Sequence, residues 1–288
     1  HLSPIQGEDD AILVKEKAEK AGYSVIPLLG KKATKANIER EISRLQNGLC
    51  PNDNLFVYIS SHGTQPVPSP KGKDNRKMSI IAWDSGNPDI HRKTDYLLHL
   101  QKTSVSDALV QKLAQRPTKT TRIIIDTCYS GDMLRGVSDK HKNFIARMNG
   151  NNTERLGVSM ASWTGRAYTS KSIGFSPDDD TSAKTLTRRK VKKKDTNSQE
   201  NASDFNMNKA YMFITATSEN EISLGPPINV GVFPSPVTPD KMLKGSFFTQ
   251  AFFEYLDKHN GHVESAFEES KAFTYKNAIR LTNGKQTQ

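Results

Sequence analysis

The stretch Arg122-Ile123-Ile124-Ile125-Asp126-Thr127-Cys128-Tyr129-Ser130-Gly131-Asp132 sets the frame for the whole chain. Three consecutive isoleucines read as a short strand buried on both faces, the pattern of an interior strand in a parallel sheet. The character then changes within one residue. Asp126, Thr127 and Cys128 leave the apolar run at its C-terminal end, and Gly131 marks a turn. In open parallel α/β sheets, sites form outside the carboxyl ends of the strands. Cys128 is therefore a candidate nucleophile, although a single cysteine taken alone is more often a buried structural thiol.

A second stretch repeats the design. Asn54-Leu55-Phe56-Val57-Tyr58-Ile59-Ser60-Ser61-His62-Gly63-Thr64-Gln65 is apolar, aromatic and β-branched from Leu55 to Ile59, then polar at once. Two buried parallel strands, one ending in His62 and one in Cys128, bring these side chains together if they are sheet neighbours. Cysteine-based hydrolysis needs a thiolate and a proton donor for the leaving group, which is this pair of residue types.

Composition narrows the class. The chain has 288 residues, 35% of them hydrophobic and 25% charged, which suits a globular protein with one sizeable core. No apolar run approaches the length of a membrane span. Two cysteines, Cys50 and Cys128, make no disulfide framework, so a reducing, cytoplasmic setting is expected, with Cys50 structural. The chain opens on His1 rather than Met, which fits removal of a signal or upstream segment, so its start is no guide to targeting. The net charge of +10 invites a nucleic-acid partner. Its distribution argues against one: Arg188, Arg189, Lys190, Lys192, Lys193 and Lys194 form a single run, and the other bases are scattered among acids.

Along the chain, strand and helix patterns alternate, the signature of an α/β fold. The spacing predicts a helix over 8–21 with Ala11, Ile12, Val14, Ala18 and Ala21 on its apolar stripe. An edge strand interrupted by Pro27 is expected over 23–29, and a helix N-capped by Thr34 follows it. Further strands are predicted at 79–84 and 210–217, a proline-rich loop at 225–239, and helices at 107–115, 246–256 and 263–281. Three parts result. Residues 1–137 hold His62 and Cys128, residues 138–208 read as a flexible, basic insertion rich in Ser, Thr, Asn and Lys, and residues 209–288 complete the same domain.

These residues resemble a known family. Asp53 to Gln65, ending His-Gly-Thr-Gln, looks like the histidine strand of metacaspases, and Asp126-Thr127-Cys128-Tyr129-Ser130-Gly131 looks like their Asp-x-Cys-x-Ser-Gly strand. Gly7 to Ala11 and Ala33 to Ile38 resemble the flanks of the large subunit. Gly245-Ser246-Phe247-Phe248-Thr249 resembles the start of a small-subunit helix. The resemblance implies a caspase-like three-layer α/β sandwich, with a mostly parallel central sheet and helices on both faces. It also implies a strand before the first helix, lying upstream of this chain or supplied by another segment. Metacaspases often bind calcium through aspartates after these two strands. Asp84 and Asp132 are available but match no such site, so no metal ligand is assigned and calcium stands only as a candidate activator.

The chemistry expected is cysteine endopeptidase action on protein or peptide substrates. Cys128 would attack the scissile carbonyl as a thiolate and His62 would protonate the departing amine. The backbone N–H groups of Gly63 and Cys128 would form an oxyanion hole. Asp126 lies two residues before Cys128, so alternation sends both side chains to the same face. Caspases, which cut after Asp, have Gln in the corresponding slot, and an acid there would pair with Lys or Arg. Ser60, two before His62, resembles a residue lining the same pocket. The competing reading of Asp126 is a capping acid for the turn that follows. The run 188–194 carries the residue types such a pocket accepts, which makes it a candidate for self-processing. The rival functions are a catalytically silent scaffold and a binding module using the basic insertion.

Overall fold

The computed structural model describes residues 5–64, 79–86, 95, 99–100, 102–114, 118–128, 172–173, 211–217, 223–226 and 230–282. Its centre is a parallel three-stranded sheet in the order β1-β5-β7, built from β1 (Asn54–Ser60), β5 (Thr120–Asp126) and β7 (Tyr211–Thr215). The register aligns Val57 with Ile123 and Ile123 with Phe213, and it ends with Ser60 opposite Asp126.

Strand alternation divides the sheet's side chains into two sets. Phe56, Tyr58, Ile124, Met212 and Ile214 pack against α1 (Gly7–Lys20), α4 (Phe247–Lys258) and α5 (Val263–Thr282), through Val14, Phe248, Ala251, Phe252, Ala266 and Phe267. Leu55, Val57, Ile59, Ile123, Ile125 and Phe213 face the other way. They meet Ile38 and Ile42 of α2 (Lys35–Gly48) and Leu109, Val110 and Leu113 of α3 (Asp107–Ala114). Helices thus cover both faces of a mostly parallel sheet, the expected sandwich.

Smaller elements surround it. The strands β2 (Gly63–Thr64), β3 (Ser79–Ile80), β4 (Val105–Ser106) and β6 (Ser172–Ile173) form a second sheet in the order β4-β3-β2-β6. The pairs β2–β3 and β3–β4 are antiparallel, and β2–β6 is parallel. Ser172 and Ile173 fall inside the predicted insertion, whose other residues lie outside the described ones. The strand predicted over 79–84 stops at Ile80, and Trp83–Ser85 turns into a 3-10 helix. The loop predicted over 225–239 contains β8 (Phe233–Pro234), which pairs with β9 (Met242–Leu243) in an antiparallel hairpin.

Two expectations are corrected. Residues 23–29 form no strand: Pro27 lacks the N–H a ladder needs, and the segment is held by side chains instead. The Tyr23 ring packs on Phe56 at 5.8 Å between centroids, and the Arg122 guanidinium donates to the Tyr23 hydroxyl at 2.9 Å. The second concerns α1, whose buried residues are Gly7, Asp10, Val14 and Ala18 while Ile12 is exposed. The helix is rotated relative to its apolar stripe because the buried Asp10 has partners on the inward side.

α2 behaves as predicted. The Thr34 hydroxyl accepts from the Asn37 N–H at 3.3 Å, an N-cap of the kind that contributes about 1 kcal/mol. Among the described residues, no helix is long and apolar enough to cross a membrane.

Candidate active site

The site lies at the carboxyl ends of β1 and β5. Beyond the last paired residues, Ser60 and Asp126, the Ser61 N–H still reaches the Asp126 carbonyl at 3.4 Å. Two residues on, Gly63 presses against the backbone of Cys128. A Cβ built on Gly63 would lie 2.1 Å from the Cys128 carbonyl oxygen and 3.2 Å from its nitrogen. Only a residue without a Cβ fits this approach. His62 is the residue just before this contact. Its carbonyl accepts from the Ile81 N–H at 3.0 Å, and the Ser61 hydroxyl donates to the Ile81 carbonyl at 2.6 Å, so β3 holds the turn. His62 is buried and Cys128 fully so.

Asp126 is the polar centre. It has no exposed surface, and hydroxyl groups of three residues donate to its carboxylate. Ser223 reaches Oδ1 at 2.5 Å, Thr249 reaches Oδ2 at 2.6 Å, and Ser246 also donates to Oδ2. Each of these hydroxyl donors favours the charged form of the carboxylate, against the cost of its burial. Ser246 is also the N-cap of α4, accepting from the Thr249 N–H at 3.3 Å. Thr249 Oγ1 gives its one proton to Asp126, so the Tyr58 hydroxyl, 2.8 Å away, must be the donor to Thr249. Burial, with the nearby charges of Asp10 and Asp126, pushes the Tyr58 phenol well above its ordinary range and keeps that donor protonated.

A second acid, Asp10, was not singled out by sequence reasoning. It is fully buried. The Ser60 hydroxyl donates to its Oδ2 at 3.2 Å, while the Ser246 N–H and the Gln250 amide reach its Oδ1 at 2.9 and 3.0 Å. Gly245, at φ +143°, turns the chain so that the Ser246 N–H points there. Ser60 therefore stands between the two carboxylates, opposite Asp126 in the ladder and bonded to Asp10.

Ser223 is a further residue that the sequence did not mark. Its backbone N–H donates to Cys128 Sγ at 3.0 Å while its hydroxyl holds Asp126. Beneath Cys128 lie Leu224, Phe233, Leu243 and Phe247, so the β8–β9 hairpin supports the thiol.

Asp84 caps α2, accepting from the Lys35 N–H at 2.8 Å. Asp132 and the run 188–194 lie outside the described residues, among which no cluster of three or more His, Cys, Asp or Glu side chains could hold a metal. Cys50 is exposed.

A parallel sheet covered by helices, with His and Cys at the ends of adjacent strands, defines a caspase-like α/β protein. The chain matches the caspase domain family over residues 4–287, and it belongs to that family. It is 32% identical over 105 residues to metacaspase-1 of Eremothecium gossypii, covering 35% of this chain and 20% of that protein. To metacaspase-1B of Aspergillus fumigatus and of Neosartorya fischeri it is 31% identical over 103 residues, 35% of this chain and 22% of either relative. The matched stretch therefore spans about a fifth of those relatives' length. No solved structure matches.

Proposed function

We propose that this chain is a cysteine endopeptidase that cleaves after Lys or Arg. The observation that carries the reading is the β1–β5 register, which runs from Ser60 opposite Asp126 to the close approach of Gly63 on Cys128. Cys128 Sγ, as thiolate, attacks the scissile carbonyl and forms the C–S bond. The oxyanion accepts from the N–H groups of Gly63 and Cys128, each such donor worth about 10²–10³ in rate. His62 protonates the amine as the C–N bond breaks, and water hydrolyses the thioester.

Asp126 and Ser60 are the residues proposed to receive the basic side chain. Support comes from the full burial of Asp126 within a ring of hydroxyl donors and from Asp10 as a second acid bonded to Ser60. Two acids in one polar cluster favour a cation over a neutral side chain or the acidic one that a caspase would take. The same preference makes Arg188, Arg189, Lys190, Lys192, Lys193 and Lys194 candidates for self-processing.

The deciding experiment is a panel of fluorogenic peptides that differ only in the residue before the cleaved bond, with and without calcium. Turnover confined to Lys and Arg peptides, lost in Cys128→Ala and His62→Ala, is expected. Turnover after Asp, or undiminished turnover by Cys128→Ala, rejects the reading. Parallel incubation of wild type and Cys128→Ala, with new termini mapped by mass spectrometry, tests self-processing. Cleavage within 188–194 should occur in the wild type alone.

A further inference from the structure

Ser223 touches both groups that a basic substrate would need. Its N–H lies 3.0 Å from Cys128 Sγ, and its hydroxyl 2.5 Å from Asp126 Oδ1. Cys128, Asp126 and Ser223 each have 0% exposure, so neither the thiol nor the acid meets solvent in the arrangement in which Ser223 touches both. The next residue anchors the segment from the other side: Leu224 is fully buried, and its carbonyl accepts from the Phe247 N–H at the start of α4 at 3.1 Å. Ser223 is thus a single residue pinned between the candidate nucleophile and the candidate specificity acid.

We infer that Ser223 couples occupation of Asp126 by a cation to exposure of the Cys128 thiol. This rests on the reading of Cys128 and Asp126 given above. The hydroxyl of Ser223 brings no net charge to the carboxylate, whereas a guanidinium or ammonium adds a full opposite charge to its hydrogen bond, an attraction that strengthens in a desolvated site. A ligand shifts an equilibrium by its differential affinity for the two states. A cation reaches Asp126 only when the serine hydroxyl has left it, so it favours the displaced state. Loss of that hydroxyl anchor withdraws the Ser223 N–H from Sγ, and the thiol becomes reachable. Ser223 then acts as a positioning residue: a basic side chain in the site uncovers the nucleophile, and a neutral one does not.

The test is alkylation by iodoacetamide, which needs no turnover, so failure of peptide cleavage leaves its outcome readable. Cys50 is exposed and serves as the reference thiol in the same sample. With the full chain, Cys128 should react far more slowly than Cys50. Adding methylguanidine should accelerate Cys128 and leave Cys50 unchanged. Ser223→Ala should raise the unliganded Cys128 rate by roughly tenfold or more, the order of bias expected from losing a hydrogen bond to a charged group. It should also flatten the methylguanidine response, and Ser223→Thr, which keeps a hydroxyl, should restore it. Asp126→Asn should abolish the response. The inference is overturned if Cys128 reacts as fast as Cys50 in the unliganded wild type, if methylguanidine protects the thiol, or if Ser223→Ala, with its circular dichroism unchanged, reacts like wild type.

Discussion

Gly63 and Cys128 meet backbone to backbone: a Cβ on Gly63 would sit 2.1 Å from the Cys128 carbonyl oxygen. The obstacle is main chain, not the end of a flexible side chain, so the two strand ends must move apart to admit a methyl group. A displacement of about 1 Å at reacting groups costs on the order of 10² in rate. Gly63→Ala should therefore lower kcat/KM on basic peptides at least that far while the sheet persists. Steady-state kinetics beside circular dichroism will check it, and near-normal kinetics would refute the close approach.

Ser246 caps α4 and also donates to Asp126, whereas Thr34 only caps α2. An N-cap contributes about 1 kcal/mol, and a hydrogen bond to a charged group about 1.5–3 kcal/mol. Ser246→Ala should destabilise the protein by about 2–4 kcal/mol, against about 1 kcal/mol for Thr34→Ala. Denaturant titrations of the two variants provide the comparison. Equal losses would mean that the Ser246 bond to Asp126 contributes nothing.

The parts of this protein that could be read from sequence are those with short-range pattern. The isoleucine run 123–125 and the apolar run 55–59 predict buried strands, whose adjacency only the structure supplies, and Thr34 marks a helix start by its residue type alone. Asp10 escaped because an acid in the first turn of a helix reads as a dipole partner facing solvent. Its inward position depends on Ser246 and Gln250, which are far away in the chain. Ser223 escaped for a similar reason: a serine in a loop has no pattern, and its meaning comes from Cys128 and Asp126. The failed strand at 23–29 shows the converse. Its β-like composition is satisfied by ring packing on Phe56 and an arginine bond, without a ladder.

Glu254 fastens the β8–β9 hairpin to α4. It accepts from Ser235 at 2.7 Å, Thr238 at 3.1 Å and Lys241 at 2.6 Å, and its side chain is 10% exposed. Burial alone would raise its pKa, but hydrogen bonds from Lys241 and Ser235 and the lysine charge outweigh it and hold the carboxyl below its usual value. A carboxyl with a lowered folded pKa contributes stability above its unfolded value of about 4.3, lost as pH falls through the folded value. Glu254→Gln should thus lower Tm at pH 7, and the gap to wild type should narrow steadily below about pH 4. A gap that stays constant down to pH 3 would assign the loss to packing rather than charge.

Asp126 separates a specificity acid from a structural cap. Both roles predict some loss of stability on Asp126→Asn, because the amide nitrogen cannot accept from the hydroxyls of Ser246 and Thr249. That cost should be about 1–3 kcal/mol, from one or two hydroxyls left unsatisfied. Kinetics divide the roles. Losing one partner of a buried charge pair costs about 2–5 kcal/mol, or roughly 30- to 5,000-fold in affinity. As a specificity acid, Asp126→Asn should lose that much kcat/KM on Arg and Lys peptides and correspondingly less on a peptide with a neutral residue at that position. The selectivity ratio, not the absolute rate, should collapse. As a cap alone, Asp126→Asn would lower both rates by the same factor and leave the ratio intact. Measuring the ratio below the melting transition of the variant, with folding confirmed at the same temperature, decides between them.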